Sequence, residues 1–417
     1  MIYTNLPVQE PRSKCSIFKQ EILILSECPV FEFNPTPIHT LWLTLQKVSD
    51  PRRSQGKRHP LAIVLLLSIL AICCGYSSYE AMSEWARDYQ DRLETELSFL
   101  AKHTPAKSTF HRVFSDLDAP ELEKVLGQWL QTITHLEKYE GIAIDGKAVK
   151  NTDLFLVSAF AHQAKATLFQ KATQSKGKEL VVAPDVLDHI NLKDKIITGD
   201  ALFPQTKLCM KIIKGQGGYV FTVKDNQKTL REGIQSYFDD PIWQTPYGKQ
   251  ICDIETTNTL DGHKGRVEER TYQVTDNPDL IEDLNWPGLT HVWKCSRKTT
   301  GKSTGKVSRQ TAYGIARLLD DQTKSSDQLA KVLRGHWQIE NNSHRKRDTV
   351  WNEDKSTIRT KSGPQVISAL TNLVVSIFHR GSVKSFPSAN RRFRARPEEL
   401  FAFLGLYRQQ ELAFLQT

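Results

Sequence analysis

The chain contains 417 residues, enough for two or three domains at about 150 residues each. Hydrophobic residues make up 39% and charged residues 25%, a balance that is typical of folded proteins and excludes disordered, collagen-like and low-complexity chains. The net charge of +9 favours a polyanionic partner. Most of this charge lies in residues 331–417, with 15 Lys/Arg and 7 Asp/Glu, although a basic tail that only aids solubility has the same composition.

An uncharged stretch, LAIVLLLSILAICCG, occupies residues 61–75. A membrane-spanning helix needs about 20 apolar residues, so we interpret this shorter stretch as a buried core helix. The seven cysteines show neither CxxC nor zinc-type spacing. We therefore expect a cytoplasmic protein with reduced thiols and no membrane association.

The residue pattern divides the chain into four segments. Residues 1–36 show no clear pattern. Residues 37–138 predict an all-helical domain. Residues 139–380 predict an α/β domain with a β-rich insertion at about 240–320, and residues 381–417 predict a basic tail with a short helix.

The α/β segment has a characteristic element order. Strands are predicted at residues 141–147, 154–162, 166–173, 195–201 and 219–224. Helices are predicted at residues 179–190, 206–214 and 226–238. Three antiparallel strands followed by two αβ units predict a mixed sheet with helices on both faces, which is the strand order of the ribonuclease H-like fold.

Three acids have positions that suggest a metal site. Asp145 is expected to end the first strand, Asp200 ends the fourth, and Glu340 lies on a later predicted helix. Because the first and fourth strands are neighbours in this order, the two aspartates should lie side by side. Such carboxylates suit Mg²⁺ or Mn²⁺, and two ions can act together on a phosphodiester. Taken singly, each aspartate could instead only cap a turn.

Glu353 is the alternative third acid. It follows a stretch without helical period, whereas Glu340 lies on a predicted helix with a clear apolar face. Because a rigid helix holds a carboxylate more closely than a loop does, we prefer Glu340.

Several motifs in this order resemble a DDE transposase of bacterial insertion sequences, in the H-repeat-associated group. The motifs are Asp50-Pro51-Arg52, His59-Pro60-Leu61, Ser108-Thr109-Phe110, Ala143-Ile144-Asp145-Gly146-Lys147, Thr198-Gly199-Asp200-Ala201, Lys224-Asp225-Asn226-Gln227, His263-Lys264-Gly265-Arg266 and His336-Trp337-Gln338-Ile339-Glu340 with His344, Arg347-Asp348 and Glu353-Asp354. The resemblance runs from about residue 40 to 380. The wider group often has Tyr-x2-Arg-x3-Glu-x6-Lys around the third acid, and the other three places here hold Leu333, His336 and Arg347.

The resemblance implies a DDE catalytic domain of ribonuclease H-like fold, preceded by a helical domain that binds DNA. It implies metal-binding and catalytic roles for Asp145, Asp200 and Glu340, with Mg²⁺ or Mn²⁺, in two ions, as the cofactor. The partners implied are double-stranded DNA, as terminal inverted repeats and as target, and a second copy of the chain in the DNA complex.

Basic and aromatic residues near the acids are the predicted DNA contacts. They are Lys147, Lys224, Arg334, His336, Trp337, Arg345, Lys346 and Arg347. Trp337 could stack on an unpaired base or pack in the core. Further candidates for phosphate contacts are Arg297, Lys298, Lys302 and Lys306 in the β-rich stretch and Arg391, Arg392, Arg394 and Arg396 in the tail, which could also be a solvated loop. Gly301-Lys302-Ser303 lacks the earlier glycine of a P-loop, so nucleotide binding is rejected.

Three functions remain open on the sequence alone. The leading one is a transposase that cleaves the ends of an insertion sequence and joins them to target DNA. The second is a degenerate or co-opted transposase that binds DNA without cutting it, against which the three intact acids argue. The third is a structure-selective nuclease, which gives no reason for the long helical segment.

Overall fold

The computed structural model describes residues 38–96, 103–173, 177–263, 265–319 and 323–405. The segment 1–36 and the last residues of the predicted tail lie outside the described residues. The described chain is a mixed α/β structure in which a helical N-terminal region precedes a large sheet. The predicted fold class is confirmed.

The N-terminal region is helical throughout its described part. Its helices are α1 Ile38–Leu45, α2 Leu61–Cys73, α3 Tyr79–Asp88, α4 Gln90–Glu96, α5 Lys107–Asp116 and α6 Ala119–Ile133. Every residue of α2 is buried, because the helix is apolar on all sides and other helices surround it. The prediction of a core helix is confirmed. Among the described residues, no helix combines the length and apolar character needed to span a bilayer.

In the described part of the chain, nine strands form one sheet. They are β1 Gly141–Ala148, β2 Phe155–Ala161, β3 Ala166–Thr173, β4 Ile196–Gly199, β5 Gly218–Val223, β6 Glu255–His263, β7 Arg266–Thr275, β8 His291–Gly301 and β9 Val307–Arg317. Their order across the sheet is β3-β2-β1-β4-β5-β9-β8-β7-β6. β1, β2 and β3 are antiparallel, whereas β4 and β5 run parallel to β1. The sequence predicted this arrangement of the first five strands.

The β-rich stretch continues the same sheet. β9 pairs antiparallel with β5, and β8, β7 and β6 follow as successive antiparallel neighbours. The stretch that the sequence predicted as β-rich contains these four strands. Since strand pairing between distant segments leaves little trace in the local pattern, the sequence did not show that the stretch shares a sheet with the first five strands.

The remaining helices cover both faces of the sheet. They are α7 Glu179–Asp188, α8 Thr206–Lys214, α9 Lys228–Phe238, α10 Pro246–Ile251, α11 Pro278–Leu284, α12 Ser325–His336, α13 Arg345–Val350, α14 Gly363–Arg380, α15 Phe386–Ala395 and α16 Pro397–Leu404. α12 packs on β1, β4, β5, β6 and β7, which places it across the middle of one face. α9 contacts β8 and β9.

The N-terminal helices and the sheet share one hydrophobic core. α6 packs against β3, and α14 contacts α2, α6 and β3. The buried Trp351 indole donates to the Ile72 carbonyl at 2.8 Å, which joins the segment after α13 to the end of α2. The position of the acids therefore depends on the helical region as well as on the sheet.

The basic stretch near the C-terminus lies in helix α15 and at the residue that follows it. The sequence had left two interpretations of this stretch, a DNA contact and a solvated loop. Arg392 and Arg396 both form ion pairs with Glu399. Arg394 donates to the Cys74 carbonyl and stacks over Tyr76. Three of the four arginines predicted as DNA contacts in this stretch are therefore engaged within the protein.

Candidate metal centre

Strand register places the two aspartates at the same edge of the sheet. The parallel pairing of β1 with β4 runs from Gly141↔Ile196 to Ala143↔Thr198. Asp145 and Asp200 each lie two residues beyond this last pair. Asp145 does not end its strand as predicted, because β1 continues through Ala148 by pairing with β2. Asp200 follows β4 directly, is exposed, and accepts the Leu202 N–H at 2.9 Å.

Glu340 and His344 come from a π-helical turn between α12 and α13. The turn spans Glu340–His344, and the Arg345 N–H bonds to the Glu340 carbonyl across five residues. Single π turns of this kind are rare and recur at functional sites. The His344 Nδ1 atom lies 3.2 Å from Glu340 Oε2 and 3.7 Å from Asp145 Oδ2.

Asp145, Glu340 and His344 form the candidate metal centre. One ligand atom from each residue lies within 4.8 Å of the others. The His344 side chain is only 4% exposed, whereas those of Asp145 and Glu340 are 32% and 53% exposed, so the centre opens on its carboxylate side. Carboxylate oxygens suit Mg²⁺ and Mn²⁺, while imidazole suits transition metals, so these residues fit a divalent ion.

His344 is not among the site residues predicted from sequence, where it appears only as part of the motif around the third acid. Its spacing of four residues from Glu340 would place the two side chains on the same side of a helix, and that spacing was the available signal. The sequence could not show that a π turn directs both side chains toward Asp145.

The carboxylates influence one another electrostatically. Burial raises the pKa of Asp145, the charges of Asp200 and Glu340 raise it further, and the charge of His344 together with the Gly146 N–H opposes the rise. The hydrogen bond from His344 lowers the pKa of Glu340. Like charges held together in this way disfavour full ionisation unless a cation is present.

Two histidines, His162 buried and His336 half-buried, hold α12 against β4 just before Asp200. The Thr198 hydroxyl lies 2.9 Å from His336 Nδ1 and 3.2 Å from His162 Nε2. Burial lowers the pKa of His336 to about 4 and that of His162 to about 3, so both imidazoles are neutral near pH 7. His336, predicted as a DNA contact, is half-buried, and its bond to Thr198 positions the helix that leads to Glu340.

A second group of acids surrounds Lys147. Its ammonium is 8% exposed and lies 2.8 Å from Asp348 Oδ1, 3.6 Å from Glu353 Oε2 and 3.9 Å from Asp354 Oδ1. Lys147 and Asp145 are two residues apart on β1, so their side chains leave the same face of the sheet. The ion pair of Lys147 with Asp348 thus connects the strand that carries Asp145 to α13, which directly follows Glu340 and His344.

Arg347 completes this buried ionic network. Its side chain is fully buried, its guanidinium pairs with Glu353, and Nη1 donates to Asn372 Oδ1 at 3.3 Å. Glu353, the alternative third acid, is 5% exposed and also accepts the Ser368 hydroxyl at 2.7 Å. The structure therefore places Lys147, Arg347 and Glu353 in internal ion pairs rather than on a surface that faces DNA or metal.

The other predicted DNA contacts lie on the surface beside the centre. Trp337 is 61% exposed, which excludes the core-packing interpretation. Arg345 is exposed, and Arg334 is half-exposed in an ion pair with Asp261. Lys346 lies over the Phe386 ring at 4.9 Å. Lys224 is exposed and follows the last residue of β5.

Family models match both the helical N-terminal region and the α/β region of the chain. Residues 137–375 match the family model described as "Transposase DDE domain". Residues 42–130 match the model described as "DDE_Tnp_1-associated". The first of these matches contains all the residues of the metal centre together with Asp200.

Individual relatives agree with this assignment. "H repeat-associated putative transposase YhhI" of Escherichia coli (strain K12) is 26% identical over 352 residues, covering 81% of this chain and 89% of that protein. "Putative protein YbfL" of the same strain has the same identity and coverage. "Uncharacterized protein in dhlA 3'region" of Xanthobacter autotrophicus is 28% identical over 269 residues, covering 61% of this chain and 85% of that protein. Because the domain match spans more than half of its length, the chain belongs to the DDE transposase domain family.

Proposed function

We propose that this protein is an active, metal-dependent transposase. It hydrolyses a DNA strand at the end of an insertion sequence and then uses the released 3′-OH to attack target DNA. The observation that carries this proposal is the convergence of Asp145, Glu340 and His344, with Asp200 at the same sheet edge, in a DDE transposase domain. The presence of all three acids in this arrangement favours catalysis over DNA binding alone.

Asp145, Asp200, Glu340 and His344 are the residues that would hold the metal. Two bound Mg²⁺ or Mn²⁺ ions supply charge stabilisation for both the attacking and the leaving oxygen of a phosphodiester displacement. The protein contributes ligands whose positions are fixed by β1, by the pairing of β1 with β4 and by the π turn. The bond from His344 to Glu340 orients that carboxylate before any metal binds.

The surface around the centre is the proposed DNA-binding face. Lys224, Arg334, Arg345 and Lys346 would neutralise phosphates near the scissile strand. The exposed indole of Trp337, three residues before Glu340, would stack on an unpaired base. A second copy of the chain is expected in the complex, because two element ends must be joined. The protein would act in the cytoplasm, where the bacterial DNA lies.

The test is strand cleavage of a duplex that carries the inverted repeats flanking the reading frame. We expect nicking at the repeat end with Mg²⁺ or Mn²⁺, none with chelator, and none from the Asp145→Asn variant at matched DNA occupancy. Cleavage that persists in chelator would contradict the metal mechanism. Tight binding of the repeats without cleavage under any divalent condition would support the co-opted DNA-binding protein instead.

A further inference from the structure

The outer four strands extend well beyond the central sheet. β9 pairs with β5 only from Tyr313 to Arg317, and its residues 307–312 continue past the end of β5. β8, β7 and β6 accompany this extension through continuous pairing. We call residues 258–271 and 296–312 the projecting ribbon. Six residues of extended strand correspond to about 20 Å of projection.

The projecting ribbon leaves the sheet at the edge where the acids lie. Tyr313 pairs with Val223, the last residue of β5, so the ribbon extends beyond the carboxyl end of that strand. Asp200 follows the carboxyl end of the parallel neighbour β4. Arg334, on the helix that leads to Glu340, forms an ion pair with Asp261 of the ribbon, which ties the two regions together.

The projecting ribbon is strongly basic. Its sequence holds eight Lys/Arg and three Asp/Glu, a net charge of +5 within a chain whose total is +9. Near its base, cations are matched by acids, as in the pairs Arg270–Asp261 and Lys298–Glu269. Toward its tip, Lys302 and Lys306 are exposed, and so is Arg309, which lies opposite Lys298 in the pairing of β8 with β9. Within the described part of the chain no ion pair involves these three residues, which we call the tip cations.

We infer that the projecting ribbon binds the phosphate backbone of the duplex that flanks the cleaved bond. This inference rests on the proposed function, since it assumes that DNA occupies the metal centre. A projection of about 20 Å spans about six phosphates at 3.4 Å per step along one strand. The three unpaired tip cations of this four-stranded ribbon complement that charge, whereas Arg270 and Lys298 are already neutralised by acids of the ribbon.

The experiment removes the three tip cations together, as Lys302→Gln, Lys306→Gln and Arg309→Gln. The probe is a fluorescent 30-base-pair duplex of arbitrary sequence, and the binding constant is measured by anisotropy at several salt concentrations. The slope of log K against log salt should fall by about 0.9 for each phosphate that the variant no longer neutralises, up to about 2.7 in total. The matched control removes three exposed lysines that lie outside the ribbon, Lys124, Lys193 and Lys214, and should leave the slope nearly unchanged.

Two outcomes would overturn the inference: an unchanged slope in the tip variant, or an equal decrease in the control variant. Hydroxyl-radical footprinting on repeat DNA adds a positional test, since protection about six nucleotides from the nick should disappear in the tip variant. Loss of cleavage only in Asp145→Asn, with an unchanged slope in the tip variant, would reject DNA binding by the ribbon while leaving the proposed function standing.

Discussion

Two groups of acids lie close together in this protein and differ in what neutralises them. In the buried ionic network, Asp348, Glu353 and Asp354 are balanced by Lys147, Lys150 and Arg347. At the metal centre, the described ion pairs to Asp145 and Glu340 come from His344 alone. The acids of the network are neutralised by its own lysines and arginine, whereas the centre is open to solvent and has excess negative charge. An acid without a cation from the protein, and with access from solvent, is the one suited to hold a metal.

The largest expected effect distinguishes the role of Glu340 from that of Glu353. Glu340→Gln removes a ligand of the metal centre and should lower strand cleavage by roughly 10³-fold, because metal stabilisation of the transition state amounts to several kcal/mol. DNA binding should persist, since the side chain keeps its shape. Single-turnover nicking with the anisotropy assay as a binding control measures both quantities.

Glu353→Gln should act on stability instead. It weakens the partner of the fully buried Arg347, and breaking a buried pair costs about 3–5 kcal/mol. At temperatures where the variant is folded, we expect cleavage within a few-fold of the wild type. A folded Glu353→Gln protein without cleavage, beside an active Glu340→Gln protein, would show that the third acid is Glu353.

Lys147 and Lys150 provide a second contrast within the network. Lys147→Met leaves Asp348 and Glu353 without their ammonium partner in a buried setting and should destabilise the fold by about 3–5 kcal/mol. Lys150 is exposed, and among the described residues its ion pair is with Asp354, so Lys150→Met should change stability little. Chemical denaturation of both variants measures the difference. Equal stabilities would mean that the ion pair between β1 and α13 does not hold the structure together.

A smaller effect concerns the exposed indole beside the centre. Trp337→Ala should weaken binding of DNA with unpaired bases near the cleavage point by about 1–3 kcal/mol, as expected when one base no longer stacks. Binding of a fully paired duplex should change less, because its bases are already stacked. A comparison of the two substrates by anisotropy tests this expectation, and equal weakening on both would assign Trp337 to a backbone contact.

The smallest effect depends on pH and lies far from the centre. Burial raises the pKa of Glu123 to about 8, while the amide groups of Gln170 and Gln365 partly offset this. A folded-state pKa above the unfolded value means that the stability from this group is complete below about pH 4.5 and is lost as pH rises through 8. Glu123→Gln should therefore gain stability relative to the wild type between pH 5 and 8, by roughly 1 kcal/mol per pH unit, measured by denaturation at both pH values.

The sequence predicted most of the central fold because each of the first five strands carries its own pattern. The choice of Asp145, Asp200 and Glu340 as candidate metal ligands was predicted from the strand order and the motifs. Asp145 was expected to end the first strand, but pairing with β2 carries the strand through Ala148. The π turn and the inward position of Arg347 depend on contacts with distant residues such as Asn372, and local pattern does not show such contacts.

The charge distribution is a second property that the local sequence pattern does not locate correctly. Charge summed by segment places the basic character in residues 331–417, although several of those cations lie in internal pairs, such as Arg347, Arg392 and Arg396. The +5 of the projecting ribbon is hidden in that sum because acids elsewhere in the first 330 residues cancel it. Only the strand pairing shows that these cations lie together beyond the sheet edge that carries the acids.

Metal binding tests the distinction between the two acid groups most directly. Mn²⁺ titration followed by electron paramagnetic resonance, without DNA, would compare the wild type with Asp145→Asn, Glu340→Gln and Glu353→Gln. We expect binding by the wild type and by folded Glu353→Gln, with affinity reduced at least about tenfold in the other two variants. Retained binding in Asp145→Asn and Glu340→Gln, together with abolished binding in Glu353→Gln, would contradict it.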